Sequence, residues 1–327
     1  MNQNHIVLNV SKEKENCYNT LEEALESAKK YKGNPVTIQL DKGVYKEKCI
    51  IKQDYITIEG AGAFETFITY DDYALQIMED GEKRGTFRTP TLFIDADDFT
   101  ARNITFENSS GPGKSVGQAL ALYVDGDRMF FEQCRLLGGQ DTLFTAPLPI
   151  TAFEKNGFRG PKEFEPRKHG RHFYRDCFVC GDVDFIFGGA TAYFEGCEVF
   201  SNSIGEEVNG YVTAASTLPE VPGYVFNHCK FTSNCAKRTV YLGRPWRDYA
   251  KVAILNSEIG DHIKEEGWHD WGKTHARDTV QFAEYNNTGE GATTNKRPSW
   301  IKILTNEEVK NYTVEKILGD WNLSNIR

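Results

Sequence analysis

Six short apolar segments of this chain each begin on a small or polar residue and then alternate. They are RNITFENS, QCRLLGGQ, DCFVCGDV, GCEVFSNS, HCKFTSNC and NSEIGDHI, anchored on Asn103, Cys134, Cys177, Cys197, Cys229 and Ser257. Their intervals are irregular, from 20 to 43 residues, yet the segments share β-branched and aromatic residues and are bounded by Gly, Asn, Asp and Ser. Strands that recur with one composition at unequal spacing suit a solenoid whose coils share a core and differ in loop length. The expected fold is all-β, a single-stranded right-handed parallel β-helix. A β-sandwich is the alternative, but it calls for hairpin turns every ~8–12 residues, and Asn-Gly and Asp-Gly pairs are sparse here. Helical patterning is confined to the ends. Thr20 to Glu23 and Thr305 to Glu308 read as capping boxes, so short terminal helices are expected to cover the open ends of the stack.

With 327 residues and no Pro/Ser/Gly-rich linker, the chain is expected to form one elongated domain spanning 1–327. A net charge of −9 and a pI near 5.4 argue against a nucleic-acid partner, because a phosphate-binding face needs a surplus of Lys and Arg. The first residues, MNQNHIVLNVSKEKENC, contain no apolar run long enough for a signal peptide or membrane span. As written the chain reads as cytoplasmic, and as secreted if it is a trimmed mature form. Its eight cysteines lack the paired spacing of a zinc site, and a chain this long needs no disulfide staples. They are expected to be mostly reduced and buried.

Asp141 follows Cys134 by seven residues, and Asp184 follows Cys177 by the same seven. If the cysteines stack, the two aspartates stack on rungs ~4.8 Å apart. Two carboxylates so close do not both ionise cheaply, so one holds its proton unless a cation intervenes. Capping turns at strand ends is the plainer role for such aspartates. Further along, YVTAAS and VYLGRPW put Arg244 about two rungs beyond Asp184, past the small side chains of Thr213, Ala214 and Ala215. An Arg paired with Asp184 would keep that carboxylate ionised and leave Asp141 as the protonated partner. Gln140 beside Asp141, and Gln118 opening QALALYV, offer amide donors that could hold an oxyanion without adding charge.

In this order, GPGKSVGQAL, GGQDTLF, DVDFIFGGA and YLGRPW resemble the four signature segments of the pectin methylesterases, and GVYKEK resembles that family's first strand. The resemblance runs from about Gly43 to Trp271. It implies a right-handed parallel β-helix and hydrolysis of galacturonate methyl esters in homogalacturonan or oligogalacturonides, with no cofactor or metal. Carried over by motif, Asp184 is the nucleophile and Asp141 the general acid/base. Gln118 and Gln140 are the oxyanion donors, and Arg244 is the aspartate's partner. The implied sugar contacts are Phe144, Phe187 and Trp246, with Trp268 and Tyr241 as further candidates. A monomer is expected.

Two departures stand out. Gly189 occupies a position where the family often has Asn, so any amide contact from there is lost. An insertion spans about 145–170, TAPLPITAFEKNGFRGPKEFEPRKHG, rich in Pro and Gly and therefore read as irregular. It leaves one candidate catalytic rung and returns just before the next, and its Arg159, Lys162, Arg167 and Lys168 could contact de-esterified galacturonates.

Rival readings have weaker support. Gly113 to Gly117 satisfies G-x-S-x-G around Ser115, but loop precedes it and a strand-like run follows, the wrong context for a nucleophile elbow. The same stretch lacks the first glycine of a P-loop, since that position is Asn108. His269, Asp270 and His275 could be metal ligands but have no companion cluster. A pectin or pectate lyase-like enzyme and a non-catalytic polysaccharide-binding solenoid are the alternatives for the whole chain.

Overall fold

The computed structural model of the protein describes residues 5–323. The chain winds into a right-handed parallel β-helix of three sheets with 11, 8 and 7 strands, here called sheets 1, 2 and 3. One coil reads Met129–Glu132 in sheet 1, Arg135–Leu137 in sheet 2 and Leu143–Thr145 in sheet 3, and Arg171–Arg175 then opens the next coil in sheet 1. Every ladder between these strands is parallel and in register with the coils before and after. Inward aromatic residues therefore stack directly. Phe131, Tyr174, Phe194 and Phe226 stack face to face with nearly parallel rings, their centroids 4.9, 4.5 and 4.4 Å apart, close to the ~4.8 Å between strands.

The corner between sheets 1 and 2 explains the repeated cysteines. Asn103, Gln133, Asp176, Gly196, His228 and Asn256 take φ values between 49° and 65° at this corner. Each donates its N–H to a carbonyl of the following coil, for example Gln133 to Arg175 O at 3.0 Å and Asp176 to Glu195 O at 2.9 Å. The next residue points inward. Cys177 Sγ donates to Phe131 O and Arg175 O, Cys197 Sγ to Tyr174 O and Glu195 O, and Cys229 Sγ to Phe194 O and Asn227 O. Ser257 Oγ does the same for Leu255 O at 2.7 Å. A small side chain with a polar hydrogen fits this inside corner, and burial pushes the Cys134 and Cys197 thiols well up, keeping them protonated. All eight cysteines are unpaired, as expected, and six are buried. The anchor at Asn103 is corrected by one residue: Thr105 pairs with Arg135, so Ile104 holds the cysteine rung and Asn103 is the corner.

The N-terminal helix, Leu21–Ala28, forms where the capping box predicts it. Thr20 Oγ1 accepts from Glu23 N at 3.1 Å, and Glu23 Oε2 accepts from Asn19 N at 2.8 Å. Leu21, Ala24 and Ala28 enter the main core, so this helix closes the first coil. The C-terminal expectation is corrected. Thr305 and Glu308 do exchange capping bonds, but they open a 3₁₀ turn, Glu308–Asn311, and the α-helix is Val314–Leu318 with Thr313 as its cap. That helix lies on the outer face of sheet 1, against Phe130, Phe173, Tyr193 and Val225, because those outward side chains also need cover. Trp268 and Phe282, stacked at 4.5 Å, and Trp300 beside Phe282 fill the last coil instead.

Candidate active site

Asp141 and Asp184 stand on adjacent rungs at the entrance to sheet 3, where the Asp141 N–H donates to Val183 O at 3.0 Å. Both take the left-handed conformation, with φ of 65° and 50°, one of the few such positions aspartate tolerates. Strand Val183–Gly188 also bulges against Gly210–Ala215: Val183 pairs with Tyr211 and Ile186 with Thr213. The extra residue lets Phe185 and Ile186 both enter the core while Asp184 turns outward. The acid is aimed by the backbone.

Asp184 is 6% exposed and Asp141 8%. Arg244 grips Asp184 with a two-point fork, Nε to Oδ1 at 2.9 Å and Nη2 to Oδ2 at 2.6 Å. The guanidinium stacks on Tyr211 and Trp271 at 3.8 and 3.6 Å from their ring centroids, which fixes its plane as well as its charge. Burial raises the Asp184 pKa and the Arg244 cation opposes that rise. Asp141 has no such partner. Burial and the neighbouring Asp184 charge push it well above the usual carboxylate range. The two acids thus differ in their partners, one carboxylate forked to a cation and the other without one.

Gln118 and Gln140 line the same cleft. Their backbones are pinned, with Ala119 N donating to Gln140 O at 3.0 Å and Ala74 N to Gln118 O at 2.8 Å. Asp182 ties this region together: its Oδ2 accepts from Gly113 N at 3.0 Å and its Oδ1 from Val183 N at 2.7 Å. A Cβ at Gly113 would meet Gln140 Cβ at 2.4 Å, so only glycine lets that loop approach. The two amides make no side-chain hydrogen bond recorded among the described residues, and both face a cleft of about 810 Å³.

The aromatic expectations divide. Phe187 and Trp246 line the cleft. Phe144 does not, because it is fully buried beneath Phe87 and Phe187 at 5.0 and 4.8 Å. Trp268 is also corrected: it points into the last coil and donates Nε1 to Glu284 at 2.9 Å. The tryptophan at the site is Trp271, three residues later in the same WHDW stretch, and its order was not readable without knowing which residue continues sheet 3. Tyr241 sits outside the cleft, stacked on Tyr211 at 5.4 Å, and extends that ring platform. Sequence reasoning also missed the 71–91 segment, whose Ala74, Leu75, Ile77 and Phe87 form one wall. Its only signal was length.

The insertion supplies another wall through 152–159. Of the four basic residues expected to meet substrate only Arg159 reaches the cleft, and a fifth, Lys155, also lines it. Lys162 pairs with Asp95 and Asp125 at 2.7 and 3.2 Å, and Arg167 binds carbonyls of its own loop, so neither is free to meet a substrate. Lys168 is exposed and away from the cleft. Ser115 lies on a one-turn helix, Gly113–Val116, exposed and outside the cleft. His269 accepts from Trp271 N, Asp270 pairs with Arg277 and His275 with Asp248, so those three side chains are engaged separately.

A family model described as Pectinesterase matches residues 7–148 and 162–320. The chain belongs to the pectinesterase family. Pectinesterase 31 of Arabidopsis thaliana is 31% identical over 94% of this chain and 90% of its own length. The chain spans about half the length of relatives such as the probable pectinesterase/pectinesterase inhibitor 23 of the same plant, at 33% identity. Among solved structures, the pectin methylesterase from carrot superposes with a TM-score of 0.82 at 28% identity, covering 98% of this chain and 96% of that one. A pectin methylesterase variant in complex with a hexasaccharide superposes at 0.79 with 28% identity, covering 96% and 97%. The internal gap in the match, 149–161, falls inside the insertion.

Arg244→Lys keeps a cation beside Asp184 but removes the planar fork and its stacking between two rings. Methanol release from methylated pectin is expected to fall about 10–100-fold through kcat, the loss of one positioned charge contact. An unchanged rate in a steady-state assay would remove Arg244 from the site.

Proposed function

We propose that this pectinesterase removes methyl esters from galacturonate residues of pectin or oligogalacturonides through an aspartyl-enzyme intermediate. One observation carries the reading. Two stacked acids differ in their partners, one forked to arginine and one unpaired, beside two amides open to an aromatic-walled cleft. Asp184 attacks the C6 carbonyl carbon, and the amide groups of Gln118 and Gln140 hold the resulting oxyanion. The tetrahedral intermediate expels methoxide, which takes the proton of Asp141 and leaves as methanol. Asp141, now ionised, draws a proton from water as that water attacks the acyl carbon. Collapse expels the Asp184 carboxylate with the proton restored on Asp141, and the galacturonic acid product gives its own proton to solvent to become the carboxylate.

Binding of an oligosaccharide by a structural neighbour supports a sugar polymer or oligomer as the occupant. The cleft is complete within one chain, which supports action as a monomer and as one continuous domain. Unpaired thiols fit a reducing compartment, and a cytoplasmic location belongs to the same proposal. No helix among the described residues is long and apolar enough to cross a membrane.

Incubation with highly methylated pectin separates this reading from its rivals when methanol, unsaturated products and chain length are followed together. Methanol without shortening or unsaturation is expected. Unsaturated fragments would instead favour a lyase, and retained binding with no product would favour a polysaccharide-binding solenoid.

A further inference from the structure

The outward residues Phe93, Tyr123, Phe144, Phe187 and Ala214 are register partners on successive strands of sheet 3, forming one row across its face. The row is not uniformly open. All five are at most 4% exposed, and of the row only Phe187 and Ala214 line the cleft. What covers the first three is a junction of two loops that reach over sheet 3 from opposite borders. The 71–91 segment arrives from sheet 2, and the 146–170 insertion departs towards sheet 1.

Phe158 of the insertion packs edge-on against Phe87 of the other loop at 5.8 Å and against Trp246 at 6.1 Å. Above them Arg159 Nη2 pairs with Asp80 Oδ2 at 3.0 Å. At Gly160 the insertion lies so close to Phe87 that a Cβ would meet Phe87 O at 2.8 Å. Beyond it Lys162 is anchored to Asp95 and Asp125, the last residues of two earlier strands of the sheet. Each loop is stapled internally by an arginine: Arg88 to Arg84 O and Lys83 O, and Arg167 to Pro149 O, Glu163 O and Glu165 O. The junction is built as a fixed wall, one rung from Phe187.

From this we infer that the wall closes the N-terminal end of the cleft, so that the enzyme takes short methylated oligogalacturonides, or the ends of chains, in preference to the interior of intact pectin. The inference rests on the esterase reading above and names its substrate class. Phe158 and Arg159 belong to 149–161, the stretch that the family model leaves unmatched. Phe158 bridges Phe87 and Trp246, so a sugar chain in the cleft that runs towards the N-terminal coils meets this aromatic junction beside the acid pair.

The test compares kcat/KM per ester on methylated tri- to hexagalacturonates and on intact methylated pectin, with mass spectrometry locating the first ester removed. The native enzyme is expected to favour oligomers by at least about tenfold, the worth of a modest steric discrimination, and to start near one terminus. Replacing 150–161 by a short Gly-Ser bridge should reduce that preference at least about threefold, in the range of lost binding contacts. Arg159→Glu, which sets two carboxylates against each other without shortening the chain, should shift the ratio the same way and guards against a bridge variant that fails to fold. Equal per-ester values on both substrates, with internal esters cleared first, would overturn this inference alone. No methanol from any substrate would overturn the esterase reading and this inference with it.

Discussion

Asp184→Asn folds like the parent and loses methanol release by ~10⁴-fold or more, the scale on which removal of a nucleophile acts. The substitution keeps the size of the side chain and one oxygen to accept from Arg244, so the ring-stacked guanidinium stays where Tyr211 and Trp271 hold it. An amide oxygen is a poor nucleophile and cannot form the acyl intermediate. Thermal unfolding should therefore shift little while turnover collapses, and a quenched reaction on the parent should show acyl-enzyme at the peptide bearing Asp184. Parent-like turnover in the Asn variant would end the covalent mechanism.

For Asp141→Asn, activity and stability are expected to move in opposite directions. Loss of the proton carrier should lower kcat by about 10²–10⁴-fold. Stability should rise at neutral pH. The folded-state pKa of Asp141 is raised by burial and by Asp184, whereas in the unfolded chain it titrates near ~3.9. Below that value both states hold the proton and Asp141 costs nothing. As pH climbs from the unfolded towards the folded pKa, the unfolded chain releases its proton first and the native state loses stability relative to it. An amide never titrates, so the variant should melt above the parent at pH 7, by ~1–2 °C for each kcal/mol relieved in a chain of this length. The difference should close below about pH 4. Equal melting temperatures at pH 7, measured by calorimetry, would show that Asp141 carries no burial penalty.

The fold was legible because its signal repeats. A cysteine or serine at one corner needs only its own coil to explain it, and several in phase set the register of everything between them. That is why the adjacency of Asp141 and Asp184, and the reach of Arg244 across Thr213 and Ala214, followed from counting. Side-chain direction was harder. The bulge at Val183–Ile186 resets which residues face outward, and alternation alone does not locate a bulge. Phe144 and Phe187 are register partners with the same outward direction, and Phe87 of a distant loop packs on both, yet only Phe187 keeps an edge on the cleft. Trp268 and Trp271 differ by which one continues a strand. Coverage by a distant loop is a tertiary fact, so the motif resemblance that suggested these aromatics does not carry it. The capping signal at Thr305 likewise identified a helical start and not its length, since five further residues decided between a 3₁₀ turn and an α-helix.

From Arg102 onward, passage from sheet 1 to sheet 2 always takes two residues, one left-handed and the next tucked inside. Such a hinge has no room for an added residue without breaking the hydrogen bond to the following coil. The other two bends have no such rule, and between them they range from one linking residue, at Asp182, to the 25 of 146–170. Both border sheet 3. Growth by duplication and slippage is therefore channelled to the margins of a single face, and lineages built on this coil can alter what they grip by lengthening those margins while their scaffold stays constant. Selection for a new carbohydrate need never touch the acid pair.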